Sequence, residues 1–422
     1  MEKAIVWIVC MLLVAVCIPP CGARAAENTL QENARTAMQD LYRRYWTEED
    51  GGHIINTHAG KPVDGPSVMI WERGMMIMAM ESYYAMTGDA DTLDKMRREW
   101  DYIQRIFDWE HLTSRCGKSP NTAADDAGWD VMVYMAFYRA LGDEFALKCT
   151  GELLKNAFIH FGAPDEMMTE GMWYCDNRQY GGDQWKSVYC AAFVLVGLDY
   201  LEAAGPDEKL ETQIMNLYHW MEENLRRDRV ITWENCYKGG KAYTSTCTDC
   251  LYWCDFNEDR ATRSENFAPD GVASPDAIRD NRSVTALFGN MAMAAVNMTL
   301  YQKTGNEAYR QKALATAQGV AEKYNNGGAY INDRDHQTNG AYCYYYVTRV
   351  LTDPDAAQAR ALHLSTADSI MANARNGKGL YSVIWRAPKN KLLQIYETNL
   401  MRNANTAHIV VSAGLLDSLL EQ

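Results

Sequence analysis

The sequence predicts an all-α protein folded as a single (α/α)6 toroid of six helical hairpins. One observation is a recurring signal: an apolar-periodic run, a short Gly or Asp turn, and a second run with apolar residues at i, i+3, i+4 spacing. The other observation concerns the first and last helical segments of the chain. Both terminal helical segments carry apolar faces that need a partner, whereas an open solenoid would end in polar capping repeats. Closure into a ring satisfies both ends.

Five hairpin turns can be placed from the sequence. The Gly residue ends the first helix of a pair because it adopts the left-handed cap at little cost, and the Asp or Asn that follows can cap the second helix. The turns fall at Gly88, Gly142, Gly205, Gly305 and Asp353. The sixth hairpin should form when the opening helix, TLQENARTAMQDLYRRYW, pairs with the closing helix, NANTAHIVVSAGLLDSLLEQ.

The domain organisation follows from two irregular segments. Residues 1–25 contain Lys3, an apolar run and the sequence Ala23-Arg24-Ala25, which is typical of a secretory signal with an A-x-A cleavage site. Residues 26–422 then form one (α/α)6 domain with a loop insert at about 228–280, where the turn spacing is interrupted. No later segment is apolar for long enough to span a bilayer. We therefore expect an exported protein, either periplasmic or extracellular, and a monomer.

Charge and aromatic content narrow the class of ligand. The formal net charge is −14, which repels phosphate backbones and makes nucleic acid a poor partner. A neutral oligo- or polysaccharide is compatible with this surface. The 12 Trp and 25 Tyr residues favour the same class because flat aromatic faces stack on sugar rings, although most such side chains belong to the core.

The cysteine pattern is compatible with disulfides or with a metal site. Of the 12 cysteines, Cys10, Cys17 and Cys21 leave with the signal, and an odd number remains. The stretch CTDCLYWC brings together Cys247, Cys250 and Cys254, with Cys236 upstream. Four thiolates could hold zinc, but only one C-x2-C spacing is present, so local disulfides are favoured over a metal. We expect no metal or cofactor in the active site.

Asp125 and Asp126 are neighbours in the stretch NTAADDAGWD and open a predicted inner helix. Acidic residues at a helix N-terminus can simply stabilise the helix dipole. Their position suggests more, because a toroid carries its cleft at this end of its inner helices. Glycoside cleavage with retention needs two carboxyl groups about 5–5.5 Å apart, and consecutive residues at a helix start can reach that separation. One would attack the anomeric carbon while the other protonates the leaving oxygen.

The chain resembles glycoside hydrolase family 76, the α-1,6-mannanases. The likeness lies in NTAADDAGWD, IWERGMMIMAMESYYAMTGD, GGDQWKSVYCAAFVLVGLDYLEAAG and VTALFGNMAMAAVNMTLYQKTGN. It implies an (α/α)6 toroid and retaining hydrolysis of α-1,6-linked mannose chains, with Asp125 as nucleophile and Asp126 as acid/base. From the toroid geometry, we expect these residues near helix starts to bind substrate: Trp71, Asn121, Trp129, Trp173, Trp185 and Lys186. A tryptophan among them could instead be a wedge in the core.

The chain departs from the family pattern at three places. Glu72 follows Trp71 where relatives usually carry a second Trp, Ser187 stands where Asn is commoner, and Ala286–Phe288 replaces Tyr-Asn-Gln. Lost polar groups there could change the preferred sugar or linkage.

Two alternative functions stay open. A different toroid enzyme would be an epimerase, which relies on paired histidines, or an uronyl hydrolase, which would want basic residues in its cleft. Of the eight scattered histidines, only His363 and His408 lie on plausible late helices. The other alternative is a glycan-binding protein of the same fold that has lost catalysis. The intact aspartate pair argues against it, and the departures argue for it.

Overall fold

The structure is a computed structural model. It describes residues 29–58, 61–62, 70–113, 123–162, 166–173, 185–226, 231–233, 243–245, 250–252, 255–257, 262–263, 286–330, 339–382, 385 and 398–422. The predicted signal at residues 1–25 lies outside these ranges. None of the described helices combines the length and the apolar character needed to cross a bilayer.

Two layers of helices make up the described part of the chain. The outer helices are α1 (Leu30–Tyr45), α3 (Ala90–Ile106), α6 (Glu144–Phe161), α8 (Glu208–Asn224), α10 (Glu307–Lys323) and α12 (Ala357–Ser369), which continues as a π-helical segment (Ile370–Ala374). The inner helices are α2 (Ile70–Thr87), α5 (Ala124–Leu141), α7 (Ala191–Ala204), α9 (Leu287–Thr304), α11 (Cys343–Tyr345), which continues as a π-helical segment (Tyr346–Leu351), and α13 (Leu400–Glu421). A short helix, α4 (Trp109–Thr113), follows α3.

Inner and outer helices differ in how much of their surface is buried. Every residue of α9 from Leu287 to Leu300 is buried, as expected for a helix surrounded by other helices. Outer helix α3 buries one stripe, including Met96, Trp100 and Ile103, and exposes its other face. Because inner and outer helices alternate along the chain, all inner helices run in the same direction. Their N-termini therefore meet at one mouth of the ring.

The predicted (α/α)6 toroid is confirmed, and so is the chemistry of its turns. Gly142 ends α5 with φ 67°, and the Asp143 side chain accepts a hydrogen bond from the Ala146 backbone N–H at 2.8 Å. Gly305 and Asn306 act in the same way between α9 and α10. The left-handed glycine and the side-chain cap together fix a tight reversal at each of these turns.

Helix α13 closes the ring by packing against both α1 and α2. Gly414 permits this close approach, because a Cβ there would lie 2.6 Å from the Ala34 Cβ and 2.9 Å from the Met86 Sδ. A buried hydrogen bond of 2.8 Å between Ser82 Oγ and His408 Nε2 joins α13 to α2. The predicted pairing of the opening and closing helices is therefore present.

Short strands lie in the segments that connect an outer helix to the next inner helix. Between α1 and α2 lie β1 (Trp46–Thr47), β2 (His53–Ile54), β3 (Thr57–His58) and β4 (Lys61–Pro62), which form two antiparallel pairs. Before α7 lies β5 (Trp185–Ser187). The described part of the insert contributes β6 (Ile231–Trp233), β7 (Tyr243–Ser245), β8 (Asp255–Asn257) and β9 (Thr262–Arg263). Strand β8 pairs with both β5 and β9.

An ionic network of two buried carboxylates and two partly buried arginines joins the inner helices near their C-terminal ends. Arg139 on α5 contacts Glu81 on α2 at 2.6 Å and Asp199 on α7 at 3.2 Å. Arg349, at the end of the π-helical segment after α11, contacts the other oxygen of Asp199 at 2.6 Å and donates to Thr299 on α9. The two guanidinium groups thus link five of the six inner helices at the end opposite the mouth.

Replacing Arg139 with Met should destabilise the fold strongly. The substitution leaves Glu81 and Asp199 buried with one cation fewer, and breaking a buried pair typically costs about 3–5 kcal/mol. Lys209→Met is the matched control, because its partner Glu166 and Lys209 itself are about half exposed and such pairs contribute about 0–1 kcal/mol. Urea unfolding of both variants measures the difference. Equal losses would contradict this account of the network.

The buried histidines should make the fold sensitive to acid. Burial lowers the pKa of both His363 and His408 from 6.5 to about 3. Below pH 6.5 these two imidazoles are protonated in the unfolded chain but stay neutral in the folded chain. The free energy of unfolding should therefore fall as the pH drops from 6.5 towards 3. His408→Gln should flatten this part of the pH–stability curve. The exposed His219, changed to Gln, should not; equal slopes in the two variants would refute the assignment.

Candidate active site

A closed aromatic floor lies inside the ring below the mouth. Trp129 of α5 packs against Phe288 of α9 at 5.8 Å and against Tyr342, just before α11, at 5.4 Å between ring centroids. Phe288 also contacts Tyr189, from the turn before α7, at 4.6 Å. All four rings are buried. Because they come from four inner segments, they fill the ring interior and set the depth of any cleft above them.

Asp125 and Asp126 lie in the first turn of α5, and both are partly exposed. Asp125 precedes Trp129 by four residues, so the two side chains share one face of the helix with Cβ atoms about 5–6 Å apart. Since Trp129 reaches helices across the ring, Asp125 lies above the aromatic floor. Its Oδ1 accepts a hydrogen bond from the Asp126 backbone N–H at 2.9 Å. That N–H and the helix dipole both favour a negative charge on Asp125.

Trp129 occupies a different position from the one expected for a sugar-stacking residue. Its side chain is only 2 % exposed, and its ring contacts are with Phe288 and Tyr342. A buried indole offers no free face to a pyranose. The geometry favours the core-wedge interpretation of Trp129, in which it supports the floor beneath Asp125.

Lys186, one of the predicted substrate-binding residues, is also buried. Its Nζ lies 4.6 Å from the ring of Trp173 and 5.3 Å from the ring of Trp220, and it donates a hydrogen bond to the Glu170 carbonyl. Trp173 is partly exposed, but Lys186 covers one side of its ring. These contacts hold the loop of residues 166–173 against α8. They give Lys186 a structural role, and its predicted role in substrate binding stays a prediction.

The remaining predicted binding residues are only partly described. Asn121 lies outside the described residues, and only the backbone of Trp71 and Trp185 is described. Trp71 is the second residue of α2, and Trp185 is the first residue of β5, which leads into α7. Both backbone positions are therefore at the inner-helix mouth, and their roles in binding stay predictions.

The described part of the insert reaches the same mouth. Strand β8 pairs with β5 next to the start of α7. The Tyr252 backbone N–H donates to Asn290 Oδ1, in the first turn of α9, at 2.7 Å, and Thr316 Oγ1 donates to the Cys250 carbonyl at 3.0 Å. Cys236, Cys247 and Cys254 lie outside the described residues, so their pairing stays open.

The three departures from the family pattern have local partners in this structure. Glu72 accepts a hydrogen bond from Asn56 Nδ2 at 2.5 Å. Ser187 Oγ accepts one from the Tyr189 backbone N–H at 3.2 Å and so caps the turn before α7. Phe288 belongs to the aromatic floor. These residues therefore organise the starts of α2, α7 and α9.

Two histidines were of interest for an epimerase. His363 bonds Ser412 at 3.0 Å and His408 bonds Ser82 at 2.8 Å, and both rings are fully buried. Neither presents an exposed imidazole to a sugar.

The structure adds Tyr189 and Tyr342 to the candidate site, and the sequence pattern did not indicate either of them. Their only sequence signal is a tyrosine at the start of an inner segment.

Comparison with solved structures identifies the fold. The chain is similar to the α-1,6-mannanase GH76A of Salegentibacter sp. HEL1_6, with 16% identity, a TM-score of 0.63, and coverage of 92% of this chain and 99% of that one. It is also similar to a family 76 α-mannanase of Bacteroides thetaiotaomicron (14% identity, TM-score 0.67, 94% and 98% covered). A possible family 105 member from Klebsiella pneumoniae is a further neighbour (13% identity, TM-score 0.56, 94% and 95% covered).

The sequence itself matches no family model and no curated protein. At 12–16% identity, the similarity to family 76 structures establishes the toroid and leaves the reaction to be argued from the site. The resemblance to family 76 seen in the sequence is thus confirmed at the level of the fold.

Lys186→Met should destabilise the protein without changing which sugar it prefers. The substitution removes a desolvated cation from two indole rings, an interaction of about 2 kcal/mol. Lys148→Met is the matched control, because Lys148 is exposed and lies over the exposed Trp109 at 4.7 Å, where such a contact contributes about 0.5–1 kcal/mol. Thermal unfolding and sugar-binding isotherms test both. A changed sugar preference with unchanged stability would restore Lys186 as a binding residue.

Proposed function

We propose that this protein is an exported glycoside hydrolase that cleaves α-mannan at α-1,6-mannosidic linkages with retention of configuration. The observation that carries this proposal is the position of Asp125 and Asp126. They lie at the mouth of an (α/α)6 toroid, in the first turn of an inner helix and above a closed aromatic floor. Export rests on the signal predicted at residues 1–25.

A structural neighbour supports the choice of reaction and substrate. An inactive variant of the Salegentibacter mannanase, in which two consecutive aspartates are replaced by asparagine, is known in complex with α-1,6-mannotriose. A second inactive variant, with alanine at the same two positions, is known with α-1,6-mannotetrose. This chain also carries two consecutive aspartates, Asp125 and Asp126. A linear α-1,6-mannooligosaccharide is therefore the first substrate to test.

The first half of the reaction forms a covalent intermediate. The ionised carboxylate of Asp125 attacks the anomeric carbon while the bond from that carbon to the glycosidic oxygen breaks. The leaving oxygen takes the proton of Asp126. The helix N-terminus favours the ionised form of Asp125, and repulsion between adjacent carboxylates favours a proton on Asp126. The products of this step are a glycosyl ester on Asp125 and a shortened mannan chain.

The second half regenerates the protein. Asp126, now ionised, accepts a proton from a water molecule, and the resulting hydroxyl bonds to the anomeric carbon as the ester to Asp125 breaks. Two inversions give net retention. Neither step uses a metal or an organic cofactor.

Changing each aspartate to asparagine separates the two roles. Asp125→Asn should reduce turnover of every substrate to the background of the assay, because no nucleophile remains. Asp126→Asn should slow cleavage of mannan by roughly 10²–10⁴-fold, but should affect aryl mannosides with good leaving groups far less. Initial rates on both substrate types provide the measurement.

Asp143→Asn is the matched control for this series. Asp143 caps α6, and asparagine caps a helix about equally well, so activity and stability should stay at the parent level. A folded Asp125→Asn protein that still cleaves mannan at an appreciable fraction of the parent rate would exclude the proposed mechanism. Binding of mannooligosaccharides by a parent protein that cleaves none would indicate a glycan-binding protein instead.

A further inference from the structure

The hydroxyl of Tyr342 is fully buried and has no hydrogen-bond partner among the described residues. Leaving a buried hydroxyl unpaired is costly, so such a group in a folded protein calls for an explanation. Phenylalanine would fill the same space without that cost. The position of Tyr342 within the ring suggests what the hydroxyl is for.

Tyr342 lies in the aromatic floor and is linked to Asp125 through Trp129, which contacts it. Its ring centroid lies 5.4 Å from that of Trp129. The ring planes of Tyr342 and Phe288 are within 2° of parallel, and their centroids are 6.3 Å apart. Trp129 is one helical turn below Asp125 on the same face of α5. Burial, and next to it the negative charge of Asp125, raise the pKa of Tyr342 well above its usual value. The phenol therefore keeps its proton and can donate it in a hydrogen bond.

We propose that Tyr342 is a positioning residue for Asp125: the buried phenol donates a hydrogen bond to the Asp125 carboxylate when that group is ionised for attack. This role rests on the proposed function, since it assumes Asp125 to be the nucleophile. The bond would add to the Asp126 backbone N–H in stabilising the anion, and it would hold the carboxylate above the floor.

Other charged groups also act on Asp125 and must be separated from Tyr342. Among the described residues at this end of α5 and on the elements packed against it, the titratable and charged groups include Asp126 and Asp130 on α5, Glu72 and Arg73 on α2, Glu99 on α3, His160 on α6, and Tyr189 and Cys190 before α7. A Tyr342→Phe variant keeps every one of them. It also changes no charge, because the phenol is neutral, so the difference between variant and parent reports the hydroxyl alone.

The pH dependence of kcat/KM on mannooligosaccharide tests the proposal. Asp125 must be ionised to attack, so losing a donor to its anion makes ionisation harder and moves the acid limb to higher pH. We expect Tyr342→Phe to move that limb up by roughly 1 pH unit and to lower kcat with little change in KM. An unmoved acid limb would overturn the proposal. So would an effect on KM alone, because the phenol would then be acting on the sugar.

Tyr346→Phe is the matched control. Tyr346 lies one turn further along the same segment, is equally buried, and also has a hydroxyl with no hydrogen-bond partner among the described residues. No charge of Asp125 contributes to the raised pKa of Tyr346. The Tyr346→Phe protein should keep the parent pH profile. A shift equal to that of Tyr342→Phe would show a general effect of removing a buried phenol and would overturn the proposal.

A second measurement does not depend on catalysis. Tyr342→Phe, Asp125→Ala and the double variant form a cycle whose thermal midpoints at neutral pH report the coupling between the two side chains. We expect the double variant to lose less than the sum of the single losses. Additive losses would overturn the role of Tyr342. If the parent protein cleaves no glycan, this cycle still decides about Tyr342, so failure of the proposed function and failure of this inference are distinguishable.

Discussion

Closure of the ring by α13 holds the inner helices that carry the candidate catalytic residues around one axis. At Gly414 there is no room for a side chain beside Ala34 and Met86, and this contact brings the last helix against the first two. The alternation of inner and outer helices along the chain makes all inner helices run the same way, and closure arranges them in a ring. Their starts then converge on one mouth, where Asp125 and Asp126 lie. Their later parts converge on the ionic network of Arg139 and Arg349.

The two ends of the ring interior perform different physical tasks. The ionic network fixes the distances between inner helices, because each carboxylate must satisfy a guanidinium group in a buried setting. The aromatic floor of Trp129, Tyr189, Phe288 and Tyr342 closes the interior below the mouth. An aspartate above such a floor is shielded from water on one side, which strengthens the effect of each nearby dipole and hydrogen bond.

The helical frame could be predicted from local sequence, and the environment of the site could not. Gly142 and Asp143 encode a turn by their own conformational preferences, so the hairpins were visible without tertiary contacts. Lys186 is different. Its burial requires indoles from the loop at Trp173 and from Trp220 on an outer helix. Similarly, the sequence around Trp129 would look the same whether its indole stacked on a sugar or packed against Phe288. No residue type in the sequence indicates that the segment Tyr346–Leu351 is π-helical.

The most direct test is the anomeric configuration of the first product. Linear α-1,6-mannan is incubated with the parent protein, and proton NMR follows the anomeric signals before mutarotation. Attack by Asp125 followed by attack of water inverts the centre twice, so the new reducing end should appear first as the α-anomer. First appearance of the β-anomer would contradict the account, since it would mean a single displacement by water.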